Sequence, residues 1–317
     1  MNDMEAVVAS PPAAHAAPAR WKLLLAFAIV YVIWGSTYLA ILFAIETLPP
    51  FLMAGTRFLV AGAVLYAWSR FIGGAERPTR ANWRAAGIVG LGLLLGGNGL
   101  LVWSEFRIPS GVAALLVGVV PCCMVLIEWL RPHGTKPGAQ VVLGLVLGLA
   151  GLLFLVGPSS VLGGGRIDLV GTFAVMVGCF SWAAGSIYAR HGALPRSPFL
   201  ATAMQMLVGG FSLTIAGVLH GELAALDAAR FSLLSIAGWA YLVVFGSIVA
   251  FTSYVWLLRV STPARVSTYA YVNPIVAVLL GWAFAGEALT ARMMVAAAVI
   301  VSGVALITLA PRAATQQ

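Results

Sequence analysis

The chain has 317 residues, 61% hydrophobic and only 9% charged, with a mean hydropathy of +1.00. A soluble domain carries about a quarter charged residues, so this composition excludes a soluble fold. The net charge of +8 and pI near 9.9 do not call for nucleic acid, because the basic residues sit in short loops beside apolar segments, where they face anionic lipid.

In chain order, residues 1–20 read as a disordered cytoplasmic tail. The stretch is rich in Ala and Pro, carries Asp3 and Glu5, and places its small residues before the apolar segment, the wrong order for signal-peptide cleavage. A membrane span needs about 20 apolar residues at a rise of about 1.5 Å each, and about ten such windows follow. The first half, residues 21–157, holds Trp21–Ile45, Phe51–Phe71, Trp83–Trp103, Pro109–Leu130 and Pro137–Gly157. The second, residues 167–310, holds Ile167–Ala189, Phe199–Leu219, Phe231–Leu258, Pro263–Ala285 and Thr290–Leu309, before a cytoplasmic tail at 311–317. Continuous apolar runs, without alternation at every second residue, mark helices and not barrel strands. The expected fold class is all-α integral membrane, with ten transmembrane helices.

The halves echo each other at an offset of 148 positions. Trp34 is answered by Trp182, Pro50-Phe51-Leu52 by Pro198-Phe199-Leu200, and Arg57, Leu59, Val60 and Gly62 by Gln205, Leu207, Val208 and Gly210. An odd number of crossings between the copies turns the second upside down, giving two inverted five-helix repeats, an arrangement suited to alternating access. Basic residues set the orientation. With a cytoplasmic amino terminus, that side receives Arg20, Lys22, Arg70, Arg77, Arg80, Arg84, Arg131, Lys136, Arg190, Arg196, Arg259, Arg265 and Arg312, against Arg107, Arg166, Arg230 and Arg292 opposite. Both termini are then cytoplasmic.

Several short tags now bear on family. They are Trp34 to Tyr38 (WGSTY), Arg57-Phe58, Gly97-Asn98-Gly99, Pro109-Ser110-Gly111, Ser267 to Pro274 (STYAYVNP) and Gly286-Glu287-Ala288-Leu289. In this order, over nearly everything after the tail, the sequence resembles the EamA type of the drug/metabolite transporter superfamily. The resemblance implies a ten-helix fold of two inverted repeats, working as a multi-pass inner-membrane exporter of small metabolites. It does not name the solute.

A carrier needs polar groups and loosened helices near the bilayer midplane. Pro121 and Pro274 lie at similar depth beyond the opening prolines Pro109 and Pro263, and are expected to loosen the fourth and ninth spans near mid-helix as a pair of gates; the plain alternative is that proline is common in membrane helices. Trp34 and Tyr38 share a face of the first span, and Trp182 and Ser186 repeat that spacing in the sixth. Together with Asn98, Tyr254, Tyr269, Tyr271 and Asn273, on segments that the resemblance places around the central cavity, they are candidates to line a site for neutral or zwitterionic solutes with an apolar or aromatic part. Interfacial belts are the alternative for tryptophan, preferred for Trp21, Trp83 and Trp103 near segment ends.

Ionisable groups within spans are suspects by default, costing roughly 2.5–3.5 kcal/mol at a helix centre. Arg57 lies almost two turns into the second span opposite neutral Gln205 in the repeat, and Glu105 is its expected partner, as a structural pair or as a gate. Glu128, three residues before Arg131, is expected to pair at the cytoplasmic edge, and Glu287 to face water or cap the next helix. Gly144, Gly148 and Gly151, with Gly87, Gly90 and Gly92, permit close helix contacts, within the chain or at a dimer seam, so oligomeric state stays open. Cys122, Cys123 and Cys179 read as packing residues without a CxxC or a histidine partner.

No cofactor or metal is expected. Gly163-Gly164-Gly165 lacks the Lys-Ser or Lys-Thr of a phosphate loop, and His15, His133, His191 and His220 are scattered through the tail and loops, which argues against an ATPase or a membrane enzyme. The expected function is a secondary transporter exporting amino acids or related amphipathic metabolites. The expected partners are a small-molecule solute and the lipid bilayer. Proton antiport would need a carboxylate titrating in the cavity, and both Glu105 and Glu128 lie near span ends beside arginines. An uncoupled facilitator is therefore the alternative, with a non-transport sensor or scaffold behind it.

Overall fold

A computed structural model describes residues 18–105, 107–108, 113, 116–156, 168–224, 226–227, 230–285 and 290–311; every structural statement below concerns these residues. They are helical, with no strand. We number the helices α1 (Arg20–Ile45), α2 (Pro50–Phe71), α3 (Arg80–Ser104), α4 (Val120–Leu130) and α5 (Ala139–Val156) in the first half. The second half holds α6 (Leu169–His191), α7 (Pro198–Leu219), α8 (Leu233–Val260), α9 (Pro263–Ser267 followed by Tyr269–Ala285) and α10 (Ala291–Leu309). Eight are long and apolar enough to cross a membrane. The two that fall short, α4 and α9, are the pair singled out for their prolines.

The helix starts follow from local chemistry. Pro50, Pro198 and Pro263 occupy first-turn positions that need no donor. Thr79 and Asn82 form a reciprocal capping box at α3, and Asp168, Ser197, Ser232 and Thr290 cap α6, α7, α8 and α10 with side-chain oxygens. Along their outward faces the helices expose apolar side chains, among them Leu143, Val146, Phe173, Phe211 and Val301. A lipid face has this character, because hydrocarbon tolerates what water would not.

The main contacts exchange with one another when the first five helices are swapped for the last five. Helix α1 packs on α9 as α4 packs on α6, α3 on α6 as α8 on α1, and α3 on α7 as α8 on α2, while α2 pairs with its counterpart α7 and α5 with its counterpart α10. Small residues sit at the contacts of both counterpart pairs. A Cβ on Gly210 would lie 2.9 Å from the carbonyl oxygen of Gly55, and Gly144 and Gly303 would each bring one within 2.7 Å of the other's carbonyl oxygen. Gly90 faces the Gln205 backbone and Gly92 faces Gly185, so these glycines serve packing within the chain.

Three observations depart from the sequence reading. Pro121 sits in the first turn of α4, where the missing N–H costs nothing, directly after a turn at residues 118–119 that separates it from helical residues 116 and 117. Helix α9 is interrupted at Thr268, six residues ahead of Pro274, where the Thr268 hydroxyl also donates to the Arg265 carbonyl. Helices α3 and α8 each contain a π-helical stretch, Leu91–Gly99 and Leu242–Phe251, which no sequence pattern announced. The tags at 109–111 and 286–289, including Glu287, lie outside the described residues, as do 1–17, the glycines at 163–165 and 312–317.

Candidate functional site: a central aromatic cavity

Helices α1, α2, α3, α6, α8 and α9 surround a cavity of about 150 Å³, with α4 contributing Val120. At roughly 10–15 Å³ per water-sized occupant, that space suits a small organic molecule. Of the nine cavity candidates, Trp34, Tyr38, Asn98, Trp182, Tyr269 and Asn273 reach its wall. Ser186 and Tyr254 do not. Both are fully buried one layer behind, where the Tyr254 hydroxyl accepts from Trp182 Nε1 at 3.0 Å and shares a 2.6 Å hydrogen bond with Ser186 Oγ. Their contribution is to fix the indole of Trp182. Tyr271 also lies elsewhere, buried between α9 and α5 with its hydroxyl donating to the Leu145 carbonyl at 3.3 Å.

Trp34 sits at the centre of the aromatic cluster. Its ring centroid lies 4.9 Å from that of Tyr269, 5.0 Å from Tyr254 and 5.8 Å from Trp182, and Phe251 closes the group. Edge-to-face contacts of this kind set ring orientation and add about 0.5–1.5 kcal/mol per pair beyond area burial.

The π-helical stretches explain how the indoles fit. A π turn shifts the helical hydrogen-bond pairing and leaves a carbonyl for an outside donor. In α8 the Gly246 carbonyl accepts from Trp34 Nε1 at 3.2 Å; in α3 the Gly92 carbonyl accepts from Ser181 Oγ at 2.8 Å. Trp182 lies against Gly97 of that stretch, where a Cβ would come within 2.8 Å of the ring. Each tryptophan therefore rests on the π-helical segment of the opposite half. The sequence reading missed Gly246, Phe251, Thr37, Ile41 and Cys179 in the wall. Gly246 stands 148 positions after Asn98, so the repeat offset was the signal that could have found it.

Arg57 reaches the same wall from α2. It is 6% exposed, its guanidinium carbon lies 4.4 Å from the Phe58 ring centre, and its Nε has no hydrogen-bond partner. The Glu105 side chain, its expected partner, lies outside the described residues. Arg57, Ile41 and Asn98 also line a second recess of about 130 Å³, bounded by Ile45, Pro50, Met53, Ala54 and Val102. The cavity thus continues toward the α1–α2 connection. Away from that recess, Tyr31 of α1 and Thr268 of α9 share a 2.5 Å hydrogen bond, and polar clasps join the helix ends. Glu128, nearly buried, meets Arg131 at 3.3 Å and His191, the last residue of α6, at 3.8 Å. Arg190 donates to the carbonyls of Leu258 and Ser261.

Two further contacts bind the halves at the α1–α2 end. The Glu222 carboxylate, after α7, accepts from the Phe51 and Leu52 N–H groups at 3.0 and 2.8 Å, filling the start of α2. Asp168 accepts from the Gly171 N–H at 2.8 Å and pairs with Arg107 at 3.2 Å. The Gly171 N–H chiefly, with Arg107 adding to it, holds that carboxyl below its ordinary value of 3.8. Among the described residues no group of three or more His, Cys, Asp or Glu side chains could hold a metal ion.

The model of the EamA-like transporter family matches residues 21–157 and 169–309. An uncharacterised inner membrane transporter of Escherichia coli (strain K12), YedA, is 40% identical over 282 residues, covering 88% of each chain. The uncharacterised transporter YvbV of Bacillus subtilis (strain 168) is 26% identical over 293 residues, 91% of each chain. Protein PecM of Dickeya dadantii (strain 3937) is 25% identical over 279 residues, covering 87% of this chain and 88% of its own. A crystal structure of a protein 22% identical superposes with a TM-score of 0.76 over 92% of this chain and 98% of that one, and so shows the same fold. The chain belongs to the EamA-like transporter family and is a membrane transporter.

Proposed function

We propose that this EamA-family chain is a secondary transporter of the inner membrane that exports small organic solutes, amino acids or related amphipathic metabolites, by alternating access. The observation that carries the reading is the aromatic and amide cavity between two sets of helices whose contacts exchange when the halves are swapped. The indole N–H groups are already satisfied, so the tryptophans offer ring faces to a solute, while Asn98 and Asn273 offer amides. With the amino terminus cytoplasmic, the recess beside Pro50 leads away from the cytoplasm and the Tyr31–Thr268 contact bars the way in. Rocking the halves about the cavity would exchange these two conditions.

An uncoupled facilitator is the second reading, favoured by one observation: among the described residues no aspartate or glutamate lines the cavity. A proton-driven exchanger needs a group there whose proton exchanges with the solute. Counterflow of labelled amino acids and aromatic metabolites into proteoliposomes, with and without an imposed pH gradient, tests both. Accumulation that responds to the gradient supports antiport, and accumulation indifferent to it supports facilitation. Silence across the panel from folded protein overturns the solute class.

A further inference from the structure

We infer that Arg57 is the acid-recognition residue of the cavity, and that the solute is a small organic carboxylate with an aromatic or apolar body, as against an organic cation. The inference rests on the transporter reading above and adds a charge to the solute. The side chain is more than nine-tenths buried at the junction of the cavity and its outer recess, with Nε unpaired and no ion pair among the described residues. Among the described residues no acidic side chain accompanies it in either wall, and the described lining has a formal charge of +1. A buried guanidinium without a counter-ion is costly, and an incoming carboxylate can supply what is missing through paired N–H donors.

The rest of the wall matches the other end of such a molecule. Trp34, Trp182 and Tyr269 present ring surface, and Asn273 Oδ1, buried without a hydrogen-bond partner, is an acceptor for an N–H or O–H group on the solute. A cation would meet the guanidinium at close range with no carboxylate to offset it. The asymmetry between the halves supports the assignment. The repeat-related Gln205 is fully buried and absent from the wall, so a single acid group is read from a single side.

The test is calorimetric binding to the purified full-length chain, using phenylacetate, phenylacetamide and phenethylamine, which share one ring and differ in charge. Phenylacetate is expected to bind at least about tenfold more tightly than the amide, with phenethylamine weakest. Arg57→Gln should erase the advantage of the acid and leave the amide unchanged, and Arg57→Lys should keep part of it. Phenethylamine binding as well as phenylacetate overturns the inference, and this wild-type comparison stands even if Arg57→Gln does not fold. So does recovery of the folded yield of Arg57→Ala by adding Glu105→Ala, which would make Arg57 a structural pair. If Trp34→Ala weakens all three probes while Arg57→Gln alters none, the cavity stands and the role of Arg57 falls. If neither variant alters any probe, the cavity reading falls with it.

Discussion

The indole rings of Trp34 and Trp182, equivalent positions in the two halves of the chain, meet edge to face with centroids 5.8 Å apart and ring planes at 75°. Their contact joins α1 to α6 at the cavity wall. Trp34→Ala and Trp182→Ala should each abolish counterflow while leaving folded protein in the membrane, and Asn273→Ala should do the same. A double-mutant cycle on thermal stability should show a coupling of about 0.5–1.5 kcal/mol between the rings. Unchanged transport in Trp34→Ala and Asn273→Ala would move the site elsewhere.

The beds beneath the two indoles differ in how much room they leave. A methyl group on Gly97 would stand 2.8 Å from Trp182, whereas one on Gly246 would meet Thr37 at 3.2 Å, a contact a small shift relieves. Gly97→Ala should therefore displace the ring and lower the transport rate about tenfold or more, for an overpacking cost of about 1–3 kcal/mol. Gly246→Ala should be milder. Rates measured in matched proteoliposomes decide, and equal effects would count against the ring-on-glycine account.

Glu222 fills the start of a helix in the other half. Two α2 N–H groups that would lack partners point at its carboxylate. Glu222→Ala should cost about 1–2 kcal/mol, and Glu222→Gln, which keeps an acceptor but not the charge, about half that. A thermal melt of the detergent-solubilised protein measures both.

Asp168 gives a pH dependence with a defined sign. Its folded carboxyl is held below the ordinary 3.8, so the native state favours the ionised form. That contribution is fully present above the ordinary value and is lost as pH falls through the depressed one. Wild type should lose melting temperature more steeply than Asp168→Asn as pH drops below about 4, and the two curves should run parallel above pH 5. Parallel curves throughout would show that the cap is silent.

The architecture was legible because burial in lipid demands long apolar runs, and little else in a chain imitates them. The predicted windows agree with most helix bounds to within three residues, as with Phe51–Phe71 against Pro50–Phe71. The cavity wall was legible where the 148-residue offset pointed to it, at Trp34 and Trp182. Three features were hidden for physical reasons. A π turn changes hydrogen-bond partners without altering hydropathy, so Leu91–Gly99 and Leu242–Phe251 read as ordinary helix. The break in α9 falls at Thr268 and not at the proline that drew attention, and hydropathy does not mark it. Depth along a span does not fix the direction a side chain faces, so Tyr254 and Ser186, at suitable depth, lie behind the wall and hold it in place.

Because each tryptophan lies on a segment wound by the other half, neither half owns the cavity. A chain severed within residues 157–167 would yield two pieces that each carry one indole and one empty bed, and neither should hold solute alone. Expressed together they should restore the cavity as a unit, since the surfaces that complete it are the same ones that hold the halves together. Specificity would then evolve at a seam: a substitution on one side changes what the opposite side must accommodate, and duplicated halves are free to diverge only in matched steps.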